Sequence, residues 1–183
     1  MNFDELKQVV EALLIATPEP LSESRFLQCI DTEIDVSLEN IIEALSQDYQ
    51  KSGRAFEIIQ VAGGYQLVTK EDYQIYIKRM FAKSSRLRLS QAALETLSII
   101  AYRQPVTRND IDAIRGVNSD SPLRTLLERK LIQIRGRDEG QGRALLYRTT
   151  VEFLQYFGLN TIKEMPKLRE IEELIDNDEL SFV

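Results

Sequence analysis

Histidine and tryptophan are absent from this 183-residue chain, and cysteine occurs once, as Cys29. Without histidine it lacks the commonest metal ligand, the usual general base near neutral pH, and every Ser-His or Cys-His nucleophile pair. A single cysteine excludes an internal disulfide and a cysteine-built zinc site, and it predicts a reducing, cytosolic setting. The longest apolar run, around Ala12–Ala16, falls far short of the roughly 20 residues that span a bilayer. The opening residues Met1-Asn2-Phe3-Asp4-Glu5 lack the basic region of a secretory signal. No GxxxxGK(S/T) phosphate loop occurs, and the loose series Gly136, Gly140, Gly142 lies between two strand patterns instead of between a strand and a helix. Asp110 and Asp112, two apart at a helix start, do not face one another and read as charges favourable to a helix N-terminus. These absences predict a soluble cytoplasmic protein with no catalytic residues, no metal and no cofactor. It is expected not to be an enzyme.

What is present is an uneven charge. Residues 1–83 carry 8 Lys+Arg against 14 Asp+Glu, residues 84–160 carry 12 against 8, and residues 161–183 carry 3 against 7. All the basic residues of the middle segment except Lys130 are arginine. An acidic module, a basic module and an acidic tail follow one another. The basic part fits contact with nucleic acid or an acidic partner, and equally a solvated surface.

Periodicity supplies the organisation. Leu6, Val9, Val10, Leu13 and Leu14 form one helical stripe, ended by Thr17-Pro18-Glu19-Pro20. Ser22 caps a second helix with Phe26, Leu27 and Ile30 inward, and Cys29 beside them reads as a small buried hydrophobe. A third helix over about 37–51 turns Leu38, Ile41, Ile42 and Leu45 to one side. Beyond Gly53 the period changes to that of strands, 56–61 and 65–69, around Ala62-Gly63-Gly64. A further helix covers about 71–81.

The same order then returns. Ser90 caps a helix with Ala93, Leu94, Leu97 and Ile100 inward; Thr107 caps a short one carrying Ile111 and Ile114, stopped by Gly116. Ser121-Pro122 begins a third, with proline at the first helical position and Leu123, Leu126 and Leu127 inward. Strands over 131–135 and 144–148 and a last helix over 151–157, with Phe153, Leu154 and Phe157 inward, complete the unit. At an offset of 85 residues Ile15, Ala16, Pro20 and Ser22 fall on Ile100, Ala101, Pro105 and Thr107, and Leu38, Ile41 and Ile42 fall on Leu123, Leu126 and Leu127. The expected fold is α+β, mostly α: two tandem winged-helix domains, residues 1–83 and 84–160, each a helix-turn-helix closed by a β-hairpin wing. Residues 161–183 form an acidic tail in which Leu168, Ile171, Leu174 and Ile175 keep helical spacing; it reads as a partner-dependent helix or as a frayed end.

In such a fold the third helix enters a DNA groove. In the second unit that helix and its wing offer Arg124, Arg129, Arg135, Arg137 and Arg143 as candidates for DNA contact. In the first, Glu39, Glu43 and Asp48 stand in the corresponding place and repel a duplex.

The string Leu97-Ser98-Ile99-Ile100-Ala101-Tyr102-Arg103-Gln104-Pro105-Val106-Thr107-Arg108, then Ile114-Arg115-Gly116-Val117-Asn118-Ser119-Asp120, resembles the central signature of the segregation and condensation protein B family. Leu123-Arg124-Thr125-Leu126-Leu127-Glu128-Arg129-Lys130-Leu131-Ile132, Gly136-Arg137, Gly142-Arg143, Leu146-Tyr147 and 153–159 continue it in order. Ala144 departs from it, since the resemblance leads one to expect proline there. The resemblance implies a non-catalytic subunit of the bacterial condensin-like complex built on structural-maintenance-of-chromosomes (SMC) ATPases, acting in chromosome condensation and partition. It implies a homodimer that binds the kleisin, segregation and condensation protein A, which bridges the ATPase heads of the SMC subunit. DNA contact would then be indirect, no membrane would be involved, and the protein would sit in the cytoplasm with the nucleoid. On this view residues 1–83 form the homodimer and residues 84–160 grip the kleisin. Tyr102, Arg103, Gln104, Arg108 and Arg115 are the kleisin-contact candidates, clustered where the first helix of the second unit ends and the second runs. The alternative is a tandem winged-helix transcription regulator that binds DNA.

Overall fold

The computed structural model describes residues 1–30, 35–81, 89–140 and 142–167. The first unit runs α1 (Phe3–Ala16), α2 (Glu23–Gln28), α3 (Leu38–Lys51), β1 (Phe56–Val61), β2 (Gly64–Thr69), a single 3-10 turn (Glu71–Tyr73) and α4 (Gln74–Met80). The second runs α5 (Gln91–Arg103), β3 (Val106–Thr107), α6 (Arg108–Arg115), α7 (Asp120–Glu128), β4 (Ile132–Arg137), β5 (Leu145–Thr149) and α8 (Val151–Phe157), followed by a 3-10 turn (Ile162–Glu164). The two units have separate hydrophobic cores. Leu6, Val10, Leu14, Phe26, Leu38, Ile41 and Leu45 fill the first, and Leu97, Ile100, Ile111, Leu123, Leu126, Ile132 and Phe153 fill the second. Three helices closed by an antiparallel hairpin recur in both, so the fold is a tandem winged helix.

The repeat extends to the backbone. Leu21 exchanges both hydrogen bonds with Tyr65, its N–H to the Tyr65 carbonyl at 2.8 Å and the Tyr65 N–H to its own at 3.0 Å. At the offset of 85, Val106 pairs with Tyr147 and Thr107 with Leu146, adding a third strand to the second wing in the order β3-β5-β4. In each unit the residue between the turn proline and the helix cap is thus sewn to the wing. In the first unit this approach is so close that a Cβ on Gly64 would lie 2.9 Å from the Leu21 carbonyl atoms, and only glycine fits.

The caps follow the sequence. Ser22, Ser37, Ser90 and Thr150 each accept the N–H three residues on, and Thr107 forms a capping box with Asp110. The start of α7 differs from expectation. The helix begins at Asp120, so Pro122 is its third residue, still among the positions whose N–H has no intrahelical partner. The capping acceptor is Asn118, whose Oδ1 takes the Asp120 N–H at 2.9 Å.

Several side chains expected inside face outward. Helix α2 has only six residues and buries Phe26 alone; Leu27 is exposed, and so is Cys29, the C-cap residue just past the helix end. Leu94, Ile114 and Phe157 are also exposed. They belong to short or amphipathic helices whose core face takes only the residues aligned with Leu97, Ile111 and Phe153, because a helix packed on one side buries one stripe. Leu168, Ile171, Leu174 and Ile175 lie outside the described residues.

The tip of the first wing touches the end of the second unit. The Ala62 N–H donates to the Leu159 carbonyl at 2.9 Å, and Gln155 Nε2 donates to the Pro18 carbonyl at 3.3 Å.

The capping box of α6 yields a pH-dependent prediction. One Asp110 oxygen accepts from the Thr107 hydroxyl at 2.6 Å and the Thr107 N–H at 3.1 Å, and these two bonds, the hydroxyl first, hold its carboxyl below the ordinary aspartate value of 3.8. A depressed carboxyl stabilises the fold above its unfolded value and loses that contribution as pH falls through the folded one. Asp110→Asn is expected to cost about 1 kcal/mol at pH 7, with the difference from wild type closing below pH 3.8. Urea unfolding at several pH values measures it; equal stabilities at pH 7 refute it.

Candidate partner-binding surfaces

The end of α5 and the turn into α6 gather four of the five residues singled out for partner contact, Tyr102, Arg103, Gln104 and Arg108, while Arg115 lies at the far end of α6. Gln104 faces inward: its Oε1 accepts the Thr149 N–H at 2.8 Å and the Thr149 hydroxyl at 2.9 Å, while its Nε2 donates to the Ala101 carbonyl at 3.3 Å. It clamps the helix end to β5. Arg115 is equally internal. Its side chain is only 7% exposed and donates to the Ser119 hydroxyl at 3.1 Å, the Asn118 carbonyl at 3.4 Å and Glu95 at 3.3 Å, tying the α6–α7 turn to α5. Arg108 joins the starts of α6 and α7 through Asp120, with Asp112 at 3.8 Å. The Asp120 carboxyl is held below its ordinary value, first by the Asn118 amide and then by the Arg108 guanidinium.

Arg103 and Tyr102 are different. Arg103 is exposed and makes no ion pair among the described residues. Tyr102 is half-buried, and its hydroxyl donates to the Pro166 carbonyl at 2.7 Å. Its ring forms one wall of an apolar cleft of about 360 Å³ between α5 and α8, shared with Leu94, Ala101, Phe157, Leu159 and Met165. Leu94 is 40% and Phe157 45% exposed. Both matched a helical core stripe in the sequence, so periodicity alone placed them inside. Their position beside the tyrosine emerges only when α8 packs across α5.

The arginine set belongs to α7 and the second wing. Arg124, Arg135, Arg137 and Arg143 are exposed and make no ion pair among the described residues, and the Arg137 guanidinium donates to the Arg143 carbonyl at 3.1 Å within the wing. Arg129, the C-cap of the helix that carries Arg124, is half-buried. In the first unit Glu39 and Glu43 are exposed along α3, and Asp48 is bound by Lys7 at 2.9 Å. Each partner reinforces the other's charge: the Asp48 carboxyl is lowered by Lys7, and the Lys7 ammonium is raised by Asp48 and Asp4.

The first unit also has an uncovered helix. Among the described residues α4 has no buried side chain, and Ile75, Tyr76 and Met80 are exposed, with Tyr73 and Phe81 beside them. A seven-residue helix is far below the length that is stable alone in water, and nothing among the described residues covers this apolar face.

Among the described residues no helix is long and apolar enough to cross a membrane. The family model for segregation and condensation complex subunit ScpB matches residues 8–168. Segregation and condensation protein B of Desulforamulus reducens is 45% identical over 167 residues, covering 91% of both chains. That of Geobacillus thermodenitrificans is 47% identical over 165 residues, 90% of this chain and 78% of its own length. The crystal structure of ScpB from Mycobacterium tuberculosis is 32% identical, with 87% of this chain and 98% of that one covered and a TM-score of 0.41.

The internal position of Arg115 yields a prediction separable from binding. Arg115→Met strips the buried Ser119 hydroxyl of its donor and breaks the tie to Glu95. It is expected to lower stability by roughly 1–3 kcal/mol. Tyr102→Phe loses one exposed hydrogen bond and is expected to cost about 1 kcal/mol or less. Thermal and urea unfolding rank the two, and the reverse order overturns the assignment.

Proposed function

The chain belongs to the family of segregation and condensation complex subunit ScpB, which places it in chromosome segregation and condensation, and from that premise we propose how it acts. It is a non-catalytic subunit of the condensin-like SMC complex, located in the cytoplasm with the nucleoid. It binds as a homodimer to the kleisin, segregation and condensation protein A, and through the kleisin to the SMC ATPase. Residues 1–83 form the homodimer, residues 84–160 hold the kleisin, and residues 161–183 run on as the acidic tail.

The observation that carries this reading is the cleft between α5 and α8 beside Tyr102. It combines exposed apolar side chains with an aromatic. Next to it Arg103, which makes no ion pair among the described residues, opens onto a neighbouring depression with Pro105 and Ile114. These are residue types that anchor protein interfaces. A kleisin segment laid there is ordered at an entropic cost, offset by burying Leu94, Phe157 and the tyrosine ring. Gln104, Arg108 and Arg115 hold the shape of this corner, while Tyr102 and Arg103 make the contact. In the first unit α4 supplies the dimer seam, because a second copy covers its apolar face without opposing acidic surfaces. Helix α4 carries Lys78 and Arg79, whereas the body of the unit, residues 1–69, carries 12 acidic residues against 4 basic.

The exposed arginines Arg124, Arg135, Arg137 and Arg143 favour one second reading, a winged-helix transcription regulator that binds duplex DNA. That reading requires tight, salt-sensitive, sequence-selective binding by the isolated protein.

Tyr102→Ala combined with Arg103→Ala is expected to weaken kleisin binding by about tenfold or more with stability retained. Calorimetry against the kleisin's middle region measures this, and a salt titration on duplex DNA in parallel tests the regulator. Unchanged kleisin affinity removes the two residues from the site; kleisin-independent, sequence-selective DNA binding replaces the proposal. Tyr76→Asp with Met80→Asp is expected to convert a dimer into a 21.1 kDa monomer. Sedimentation equilibrium decides, and an unchanged mass moves the seam elsewhere.

A further inference from the structure

A second cleft, of about 690 Å³, lies between the second wing, the Gln104-Pro105 turn and α8, and shares no lining residue with the cleft beside Tyr102. Alternation along β4 and β5 builds it. Gln133 faces Arg148 across the ladder, Ile134 faces Tyr147, and Arg137 faces Leu145 beyond a register shift. Side chains two apart on a strand share a face, so Arg135, Arg148 and Leu146 look the same way, and all three line the cleft. Leu154 and Ile162 form the far wall, and Asn160 stands at its edge.

The chemistry of this cleft is unfinished. Neither Arg135 nor Arg148 makes an ion pair among the described residues, although their alternation and register set two guanidinium groups diagonally across one face. The Nε of Arg148 is buried and without a hydrogen-bond partner among the described residues, and so is the Oδ1 of Asn160, an acceptor that calls for a donor such as a peptide N–H. Buried polar groups are ordinarily paired, and an N–H that has lost water without gaining an acceptor costs stability. The missing element is a chain that accepts from the arginine, donates to the amide and brings apolar surface with it, because Leu146, Leu154 and Ile162 line the same cleft.

We propose that this cleft binds an extended peptide segment bearing a carboxylate and, two residues along, an aliphatic side chain. An extended chain places residues i and i+2 about 6.5–7 Å apart on one side, the spacing at which Arg148 and Leu146 lie along β5. The carboxylate pairs with Arg148, supported by Arg135, and the aliphatic group covers Leu146, Leu154 and Ile162. A DNA duplex fits less well, since it offers phosphates on a broad convex surface and nothing apolar to fill the wall. The inference deepens the reading of this unit as a holder of the kleisin and rests on it for the identity of the partner. It adds an acidic-aliphatic anchor point, separate from the tyrosine cleft.

The test titrates the labelled full chain with Ac-Ser-Glu-Ser-Leu-Ser-NH2 and, separately, with its Gln counterpart, following the Arg148 Nε–H and the Leu146 and Thr149 amides by NMR. Saturable shifts with the Glu peptide at about millimolar affinity, lost with the Gln peptide and in Arg148→Gln, are expected. Arg148→Lys, which keeps the charge but not the planar fork, guards against loss of fold and is expected to bind about tenfold more weakly. No shift at these sites up to about 10 mM peptide overturns the inference, and so does the same shift produced by a 12-base-pair duplex and not by the peptide. Against the whole kleisin, Arg148→Gln is expected to lower affinity about tenfold or more. If that variant binds like wild type, the acidic anchor point is wrong while the kleisin reading stands. If wild type does not bind the kleisin at all, the kleisin reading falls, and the peptide titration still decides the cleft.

Discussion

Both halves of this protein depend on one short stretch of backbone pairing, the stitch between the residue before the second helix and the wing. Leu21 with Tyr65, and Val106 with Tyr147, join helices to hairpin through main-chain hydrogen bonds, which constrain side chains little. A two-stranded hairpin is marginal by itself. The stitch gives each wing a third backbone partner and fixes the angle at which the helices meet it. The turn proline on one side and the Ser or Thr cap on the other mark its limits. In the second unit Gln104 adds to it, linking the last turn of α5 to Thr149 from the opposite end.

Given that frame, the second unit presents two clefts. In one, α8 lies across α5 and leaves an apolar surface beside Tyr102. In the other, Arg135 and Arg148 of the wing share a lining with Leu146. Arginines that elsewhere in the unit are neutralised, as Arg108 is by Asp120 and Arg115 by Glu95, stiffen the corner; those left unpaired are the ones available to a partner. The first unit is organised differently. Its recognition helix is acidic, its charge is balanced locally by contacts such as Lys7 with Asp48, and its uncovered surface is the apolar helix α4. The same fold thus presents exposed arginines in one copy and an exposed apolar helix in the other.

Most of the fold was legible in the sequence. The helix stripes, the Ser and Thr caps, the change of period at Gly53 and the 85-residue repeat are local signals with local physical causes, and the helices and wings lie where those signals put them. The absence of histidine, and of more than one cysteine, is likewise a matter of composition alone. The Tyr102-Arg103 corner was visible as a string of residue types, because aromatic and arginine side chains at a helix end stand out without knowledge of the fold.

What tertiary structure alone decided is which apolar and which charged side chains are already satisfied. Leu94, Phe157 and Leu27 carry the same hydrophobic signal as Leu97 and Phe153, and periodicity cannot distinguish a stripe covered by its own domain from one left for a partner. Arg115 and Arg103 are identical in composition terms, yet one is enclosed by Ser119 and Glu95 and the other is exposed with no ion pair among the described residues. Pairing and burial between distant segments depend on how α5, α8 and the wing cross in space, and no local pattern along the chain encodes that crossing.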